Sequence, residues 1–450
     1  MQNTIGGNTM QILLPEKVKQ IIATLTAAGY EAYAVGGCVR DSILGRVPDD
    51  WDITTSAKPH EVKKLFARTI DTGIEHGTVT VMLQKEGFEV TTYRIDGEYE
   101  DSRHPKEVIF TPNLIEDLKR RDFTINAMAY NDAEGMVDAF DGMGDIDRKL
   151  IRAVGIAKDR FTEDALRIMR AIRFSAQLGY SIEENTKQAI MELAPNLRNI
   201  SAERIQVELV KLVTSRHPEQ LRDAYETCVT KVILPEFDQA MQTEQNNPHH
   251  CYSVGEHTLV AMQKVRADKV LRLTMLFHDL GKPEMLTVDE EGIAHFHGHP
   301  LASEQIAKTV LRRLKFDNDT IDKVTRLVKL HDYKPDLTAK SIRRAIRKVG
   351  EDIFPLWIEV QKADVAAQSD YKRKEKLERI AQIERIYNKI LTDADCVSLK
   401  TLAVTGRDLI DAGMTPGKEI GITLNHLLEI VLDTPERNTK EYLMSVVFQK

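Results

Sequence analysis

The sequence predicts a multidomain α+β protein, a mixed head followed by an all-helical remainder. Three observations predict it. The chain has 450 residues, enough for two to four domains with substantial cores. Up to about residue 150, short β-branched stretches alternate with helical ones. From about 151 onward strand signals almost vanish and a helical period takes over. Hydrophobic content of 42% beside 29% charged residues excludes a disordered or fibrous chain.

The head opens with a glycine turn, "AVGGCVRD", containing Gly36 and Gly37, followed by "PDDWDITT" with Asp50 and Asp52. On a strand, residues i and i+2 share a face, so both carboxylates are expected on one side with Trp51 turned to the core. Two like charges held together call for a cation between them, and hard oxygen ligands favour magnesium. A glycine turn beside them lets backbone N–H groups approach phosphate. "GTVTVML" and "FEVTTYR" read as the next strands, and Glu89 at the opening of the second can supply a third carboxylate. An isolated Asp-x-Asp is common in solvated turns. Beside a phosphate cradle it points to phosphoryl or nucleotidyl transfer.

The helical remainder begins with "TEDALRIMRAIRFSAQLG", expected to be N-capped by Thr162, with Glu163 and Asp164 in its first turn, and to end at Gly179. "SIEENTKQAIMEL" shows a capping-box pattern, Ser181 with Glu184, and Ser201 is placed to cap "SAERIQVELVKLV". The polar "TEQNNPHHC" reads as a linker before a histidine-rich block that runs to about 370 and a final helical tail. Asp164 and Arg167 stand three apart, and Arg170 and Arg173 continue the spacing. Taken without the head, this pattern reads first as a surface salt-bridge ladder. Alternatively, a carboxylate accepts from the exocyclic amine of cytosine or adenine while a guanidinium donates to the ring acceptor beside it. Uracil and guanine present the reverse pattern and would be refused.

The head array resembles the polymerase-β-like nucleotidyltransferases, specifically the class II tRNA nucleotidyltransferases and bacterial poly(A) polymerases. The likeness covers nearly the whole chain. The family's Glu-Asp-x-x-Arg motif stands at Glu163 to Arg167, its "RRD" at Arg120 to Asp122, and "SAER" at Ser201 to Arg204. The resemblance implies that Asp50 and Asp52 hold magnesium with help from Glu89, and that Gly37, Arg40 and Arg121 contact a triphosphate. It also implies that Asp164 and Arg167 read the base, with Arg170 and Arg173 in support. "DGEYEDSRHP", Asp96 to Pro105, is similar to the loop found in enzymes that add both C and A. His257, His278, Asp279, His299, His331 and Asp364 follow the order of the HD phosphohydrolase superfamily, whose ligands hold one or two divalent ions. Imidazole suits nickel, manganese or iron better than magnesium. His249, His250, His295 and His297 fall outside that pattern.

The resemblance therefore implies a polymerase-β-like nucleotidyltransferase head (1–150), an all-α neck (151–235), an HD domain (236–375) and a helical tail (376–450). The implied partners are tRNA, CTP and ATP, and the implied activity is addition of CCA to a tRNA 3′ end. Poly(A) polymerase, an enzyme adding only A, and an HD phosphohydrolase with an RNA-docking head are the alternatives. "TGIEHGTVTVML" looks like the CCA-adding form of its segment. Net charge of −7 is unusual for an RNA binder, yet "DLKRRDF", "EDALRIMRAIRF" and "SIRRAIRK" are locally basic. Four scattered cysteines, no signal-peptide pattern and no long apolar run make a cytoplasmic protein with no membrane partner the expectation.

Overall fold

The computed structural model describes residues 11–96 and 108–448. The loop from Asp96 to Pro105 lies outside the described residues beyond Asp96 itself. Two compact units divide at 233/234. The stretch expected as head and all but the last two residues of that expected as neck fall in the first unit, and those expected as HD domain and tail fall in the second.

The first unit opens with α1 (Glu16–Ala27), β1 (Ala32–Val35), α2 (Gly37–Ile43), β2 (Ile53–Thr55) and α3 (Pro59–Leu65). Then come β3 (Thr69–Gly73), β4 (Thr78–Leu83), β5 (Glu86–Thr92) and the small pair β6 (Arg94–Asp96) and β7 (Val108–Phe110). After α4 (Leu114–Lys119), the strands β8 (Met128–Asn131) and β9 (Gly135–Asp138) complete a seven-stranded sheet ordered β3-β4-β5-β2-β1-β8-β9. Its pairings are antiparallel except for β2 with β5, which run parallel with Ile53 opposite Val90. Central β1 is buried along its length, and Tyr33, Val35, Ala127 and Ala129 form one core with Tyr93, Leu114, Leu118 and Val154. Burial of Val35, Leu114, Leu118 and Val154 contributes roughly 1.5–3 kcal/mol each.

Helices follow: α5 (Gly142–Arg148), α6 (Ala157–Glu163), α7 (Leu166–Leu178), α8 (Glu184–Leu193), α9 (Ala202–Val213), α10 (Leu221–Glu226) and α11 (Thr230–Ile233). The expected single helix starting at Thr162 is two helices. Asp164 is extended (φ −140°, ψ 104°) between α6 and α7, and Thr162 sits inside α6 with its hydroxyl bonded back to Lys158. The carboxylate of Asp164 accepts the Leu166 N–H at 3.0 Å, so this short side chain restarts the helix, as Asp does at helix starts. Helix α7 stops at Gly179, whose φ of 71° is the left-handed stop that its sequence announces. The cap of α8 is Glu183, accepting from Thr186, while Ser181 lies in a short strand. Ser201 occupies the cap position of α9 without a side-chain cap bond.

The second unit contains α12 (Pro235–Gln242), α13 (Val254–Lys264), α14 (Lys269–Phe277), α15 (Lys282–Met285), α16 (His299–Arg313) and α17 (Asn318–Lys329). It continues with α18 (Ala339–Val349), α19 (Phe354–Ala367), α20 (Arg373–Thr392), α21 (Gly406–Asp411), α22 (Lys418–Asp433) and α23 (Lys440–Phe448). Leu330, Ile346, Trp357, Ile383, Val404, Leu428 and Leu443 belong to one buried cluster, so 236–375 and 376–450 share a core. The expected linker around Pro248 runs between α12 and α13 inside this unit. All four cysteines are free.

Candidate functional site

In the first unit, the turn after β1 opens a cleft of about 660 Å³. Gly37, Arg40, Asp52, Arg121, Arg170 and Arg173 line it together, so six of the sequence-predicted residues converge there. Asp50 and Asp52 precede β2 and are not part of it. They are therefore not held by strand alternation, and Trp51 is only half-buried. Instead the carbonyl of Asp52 accepts the Val35 N–H at 3.0 Å, which ties the segment to the end of β1. Glu89 lies in the middle of β5, one step from the Ile53–Val90 pairing. Burial raises the Asp52 carboxyl above the usual range, Arg121 opposes that, and Asp50 adds to it. Burial raises Glu89 as well, with Asp52 and then Asp50 contributing. These three acids thus repel one another, the electrostatic condition a divalent cation relieves. They do not make a group with all ligand atoms within 4.8 Å among the described residues.

The cationic wall is held by bonds that the sequence motifs only partly disclose. Arg40 donates to Asn126 at 2.7 Å and to Asp41, and Asn126 in turn donates to Asp122 at 3.3 Å. Asp122 takes Arg170 Nε at 2.7 Å. Burial works against the Asp122 charge, but Arg170 prevails and brings its carboxyl down to about 2. Arg173 pairs with Glu208 at 2.6 Å and lies 4.1 Å from the centre of the Phe174 ring. Asn126, Glu208 and Phe174 were not singled out by the sequence, although Asn126 stands four residues after the "RRD" motif.

Gly36 is a further residue that the sequence left unassigned beyond its turn. Its φ is 84° with ψ −130°, and a Cβ there would come 2.9 Å from Arg121 Nη1. We expect Gly36→Ala to destabilise the fold by about 1–3 kcal/mol, the usual cost of a residue forced into such a backbone conformation. A denaturant midpoint equal to the parent's would contradict this.

Asp164 and Arg167 do not line the cleft. They are also not placed one turn apart on a shared helix, because Asp164 lies in the break before α7. The second Asp164 oxygen accepts from Arg204 at 2.8 Å, which joins the Glu-Asp-x-x-Arg stretch to "SAER". Arg167 donates to Glu163 at 2.6 Å and to the carbonyls of Arg160 and Arg120.

The second unit gathers all six residues of the histidine–aspartate pattern. Among the described residues, His257, His278 and Asp279 form one group of ligand atoms within 4.8 Å, and Asp279, His299 and His331 form another. Asp364 Oδ1 is 2.9 Å from His257 Nε2. The Nε2 atoms of His257 and His278 lie 3.2 Å apart, and so do those of His299 and His331. Each ring turns its Nδ1 to a backbone carbonyl: Ala367 for His257, Met275 for His278, Phe296 for His299 and Val328 for His331. An Nδ1–H held by a carbonyl leaves the Nε2 lone pair directed at the cluster, the arrangement of metal-ligating imidazoles. Both Asp279 oxygens are buried without a hydrogen bond of good geometry, although Lys282 Nζ is 2.7 Å from one of them. This donor set fits one or two divalent transition ions.

The cluster opens on a cavity of about 670 Å³. His249, His250, His295 and His297, set aside in the sequence, all line that cavity.

Comparison with known proteins finds three family models along the chain. The model of the poly A polymerase head domain matches residues 32–152, and that of the probable RNA and SrmB-binding site of polymerase A matches 179–241. The putative tRNA nucleotidyltransferase domain 2 matches 286–447. The CCA-adding enzyme of Levilactobacillus brevis is 38% identical over 438 residues, spanning 96% of this chain and 97% of that protein. That of Lactobacillus helveticus is 36% identical over 425 residues, 94% of each chain. The solved Bacillus stearothermophilus CCA-adding enzyme in complex with CTP superposes with a TM-score of 0.72 at 29% identity, over 96% of both chains. A Thermotoga maritima CCA-adding enzyme complexed with tRNA shares the fold at 21% identity and a TM-score of 0.57. With full-length likeness at this identity, and a β-sheet head joined to a helical remainder, the chain belongs to the CCA-adding enzyme family.

Proposed function

We propose that this protein adds C, C and A to the 3′ end of tRNA, using CTP and ATP and no nucleic-acid template. The observation that carries the reading is the first cleft, where an acidic edge at Asp52 faces Arg40, Arg121, Arg170 and Arg173. Asp50, Asp52 and Glu89 would hold magnesium, which when bound supplies charge neutralisation at the reacting phosphates. Arg121 and Arg40, with the backbone at Gly37, would seat the triphosphate and orient its α-phosphorus toward the tRNA hydroxyl. Arg170 and Arg173 are fixed by Asp122 and Glu208, so they would support the pocket without reorganising. Among the described residues no helix is long and apolar enough to cross a membrane. We place the protein in the cytoplasm, where tRNA, CTP and ATP are available.

Base choice falls to Asp164 and Arg167 in this reading. Two described bonds to Asp164 leave acceptor lone pairs for an exocyclic amine. Glu163 and two carbonyls fix the Arg167 guanidinium while leaving N–H donors for a ring acceptor. Arg167→Ala is expected to reduce discrimination against UTP and GTP roughly 10- to 100-fold, since a charged hydrogen bond contributes about 1.5–3 kcal/mol. Assays with each of the four nucleotides, on tRNA ending before its CCA, measure this. Uniform loss with unchanged preference ratios would assign Arg167 to holding the α6–α7 break.

The second unit supports a further reading because its four imidazoles and two carboxylates converge with lone pairs inward. We propose an HD-type phosphohydrolase centre on the division 236–375, with helical tail 376–450 gripping tRNA. His257, His278, Asp279, His299, His331 and Asp364 would hold nickel, manganese or iron. A bound ion there would supply an activated water for a phosphoester. The chain's own residues orient the site and confine it within the cavity.

A further inference from the structure

The cavity in the second unit is lined by more cations than its ligand cluster needs. Lys282 is already committed to Asp279 and to Gln245 at 2.7 Å each. Lys334, Lys376 and Arg379 stand on the wall formed by the loop after His331 and by α20. Among the described contacts none of the three pairs with a carboxylate, and the carboxylates on the cavity wall are Asp279, Asp332 and Asp364. Lys376 donates to Gln368 Oε1 at 2.6 Å and to His249 Nδ1 at 3.1 Å. Gln368 then donates to Asp364 Oδ2 at 3.2 Å, so one side-chain amide separates this ammonium from the ligand cluster. Burial lowers the Lys376 ammonium below its usual range. Asp364 opposes that shift, and the neighbouring cations Lys334, Arg373 and Lys372 reinforce it. A group of like charges on a concave wall, short of counter-charge, is the setting an anion completes.

We propose that Lys334, Lys376 and Arg379 form a subsite for a second phosphate, so that the ligand of this centre is a compound carrying two separate phosphate groups, for which adenosine 3′,5′-bisphosphate serves as the probe. The inference rests on the phosphohydrolase reading, which places the first phosphate at the histidine–aspartate cluster. The second phosphate then takes the Lys376 ammonium and the Arg379 guanidinium, with Lys334 contributing from the rim. A monophosphate occupies the cluster and leaves this wall unused. The subsite therefore selects on the number of phosphates and leaves the first centre's ligands untouched.

Calorimetric titration of the full chain, in manganese, with adenosine 3′-monophosphate and adenosine 3′,5′-bisphosphate tests this. The parent protein should bind the bisphosphate at least about tenfold more tightly, a charged hydrogen bond being worth that much or more. Lys376→Ala and, separately, the exposed Lys334→Ala should each shrink that ratio, and Lys376→Arg should keep it. The first unit's cleft is identical in every variant, so a change in ratio belongs to the second unit. Equal affinity for the two compounds, or no binding of the bisphosphate, overturns the subsite. Manganese bound with no bisphosphate preference sinks the subsite alone. A preference that the variants erase in a protein that holds no manganese sinks the phosphohydrolase reading and leaves the subsite standing.

Discussion

Asp52→Ala is expected to abolish nucleotide addition, with a rate loss on the order of 10³ or more, and Asp50→Ala to behave alike. Asp52 lies on the cleft wall with Arg121, and its carboxyl and that of Glu89 are both raised by burial and by the neighbouring acids. Such crowding of negative charge is unfavourable unless a cation is recruited, so removing one acid removes the ligand and the reason for the site. The protein should remain folded, because both side chains are exposed to solvent, and it is the protein packed around the cleft that raises the Asp52 carboxyl. Their part in positioning tRNA should be small. Single-turnover incorporation of labelled CTP measures the first expectation and a gel shift with tRNA the second. Incorporation by either variant within about tenfold of the parent would remove that residue from the metal site.

The second large effect is expected at Asp279. It belongs to both ligand groups of the second unit, so one substitution should empty both. His278→Ala combined with Asp279→Asn should eliminate hydrolysis of phosphoesters and metal uptake, with a rate loss again on the order of 10³. Asn preserves the side-chain volume beside Lys282 and avoids a cavity. Nucleotide addition should stay near the parent rate, because every residue assigned to nucleotide binding and transfer lies in the first unit. Metal content by mass spectrometry gives a readout independent of turnover. Loss of CCA addition by a folded variant would contradict two separate centres.

The two centres were legible in the sequence to different depths. The six residues that cluster in the second unit could be named in full, because the resemblance to the HD phosphohydrolases marked them by their order over 108 positions from His257 to Asp364. The wall around them could not. His249 becomes relevant only when Lys376, far along the chain, is found 3.1 Å away. In the first unit, the glycine turn and the arginines do come together at one cleft, as their order suggested. The reason offered for Asp50 and Asp52, strand alternation, did not hold, since a backbone bond from Val35 to Asp52 fixes them ahead of β2. The α6–α7 break was hidden for a similar reason. Helical periodicity continues across it, and while one Asp164 oxygen caps the Leu166 N–H locally, the other is held by Arg204 from 40 residues away. Long-range hydrogen bonds of this kind leave no local trace in residue order.

Leu330 beside His331, and Val365 beside Asp364, belong to the same buried cluster as Leu428 and Leu443 of the last helices. A cluster shared in this way opens as one cooperative body. An ion bound only by the native cluster stabilises that whole body by about 2.7 kcal/mol at a hundred times its dissociation constant. Amide hydrogens in α22, which contributes no ligand, would then exchange more slowly whenever the centre is loaded. The last helices would then carry a record of whether a centre they do not line is occupied, readable in their exchange rates alone.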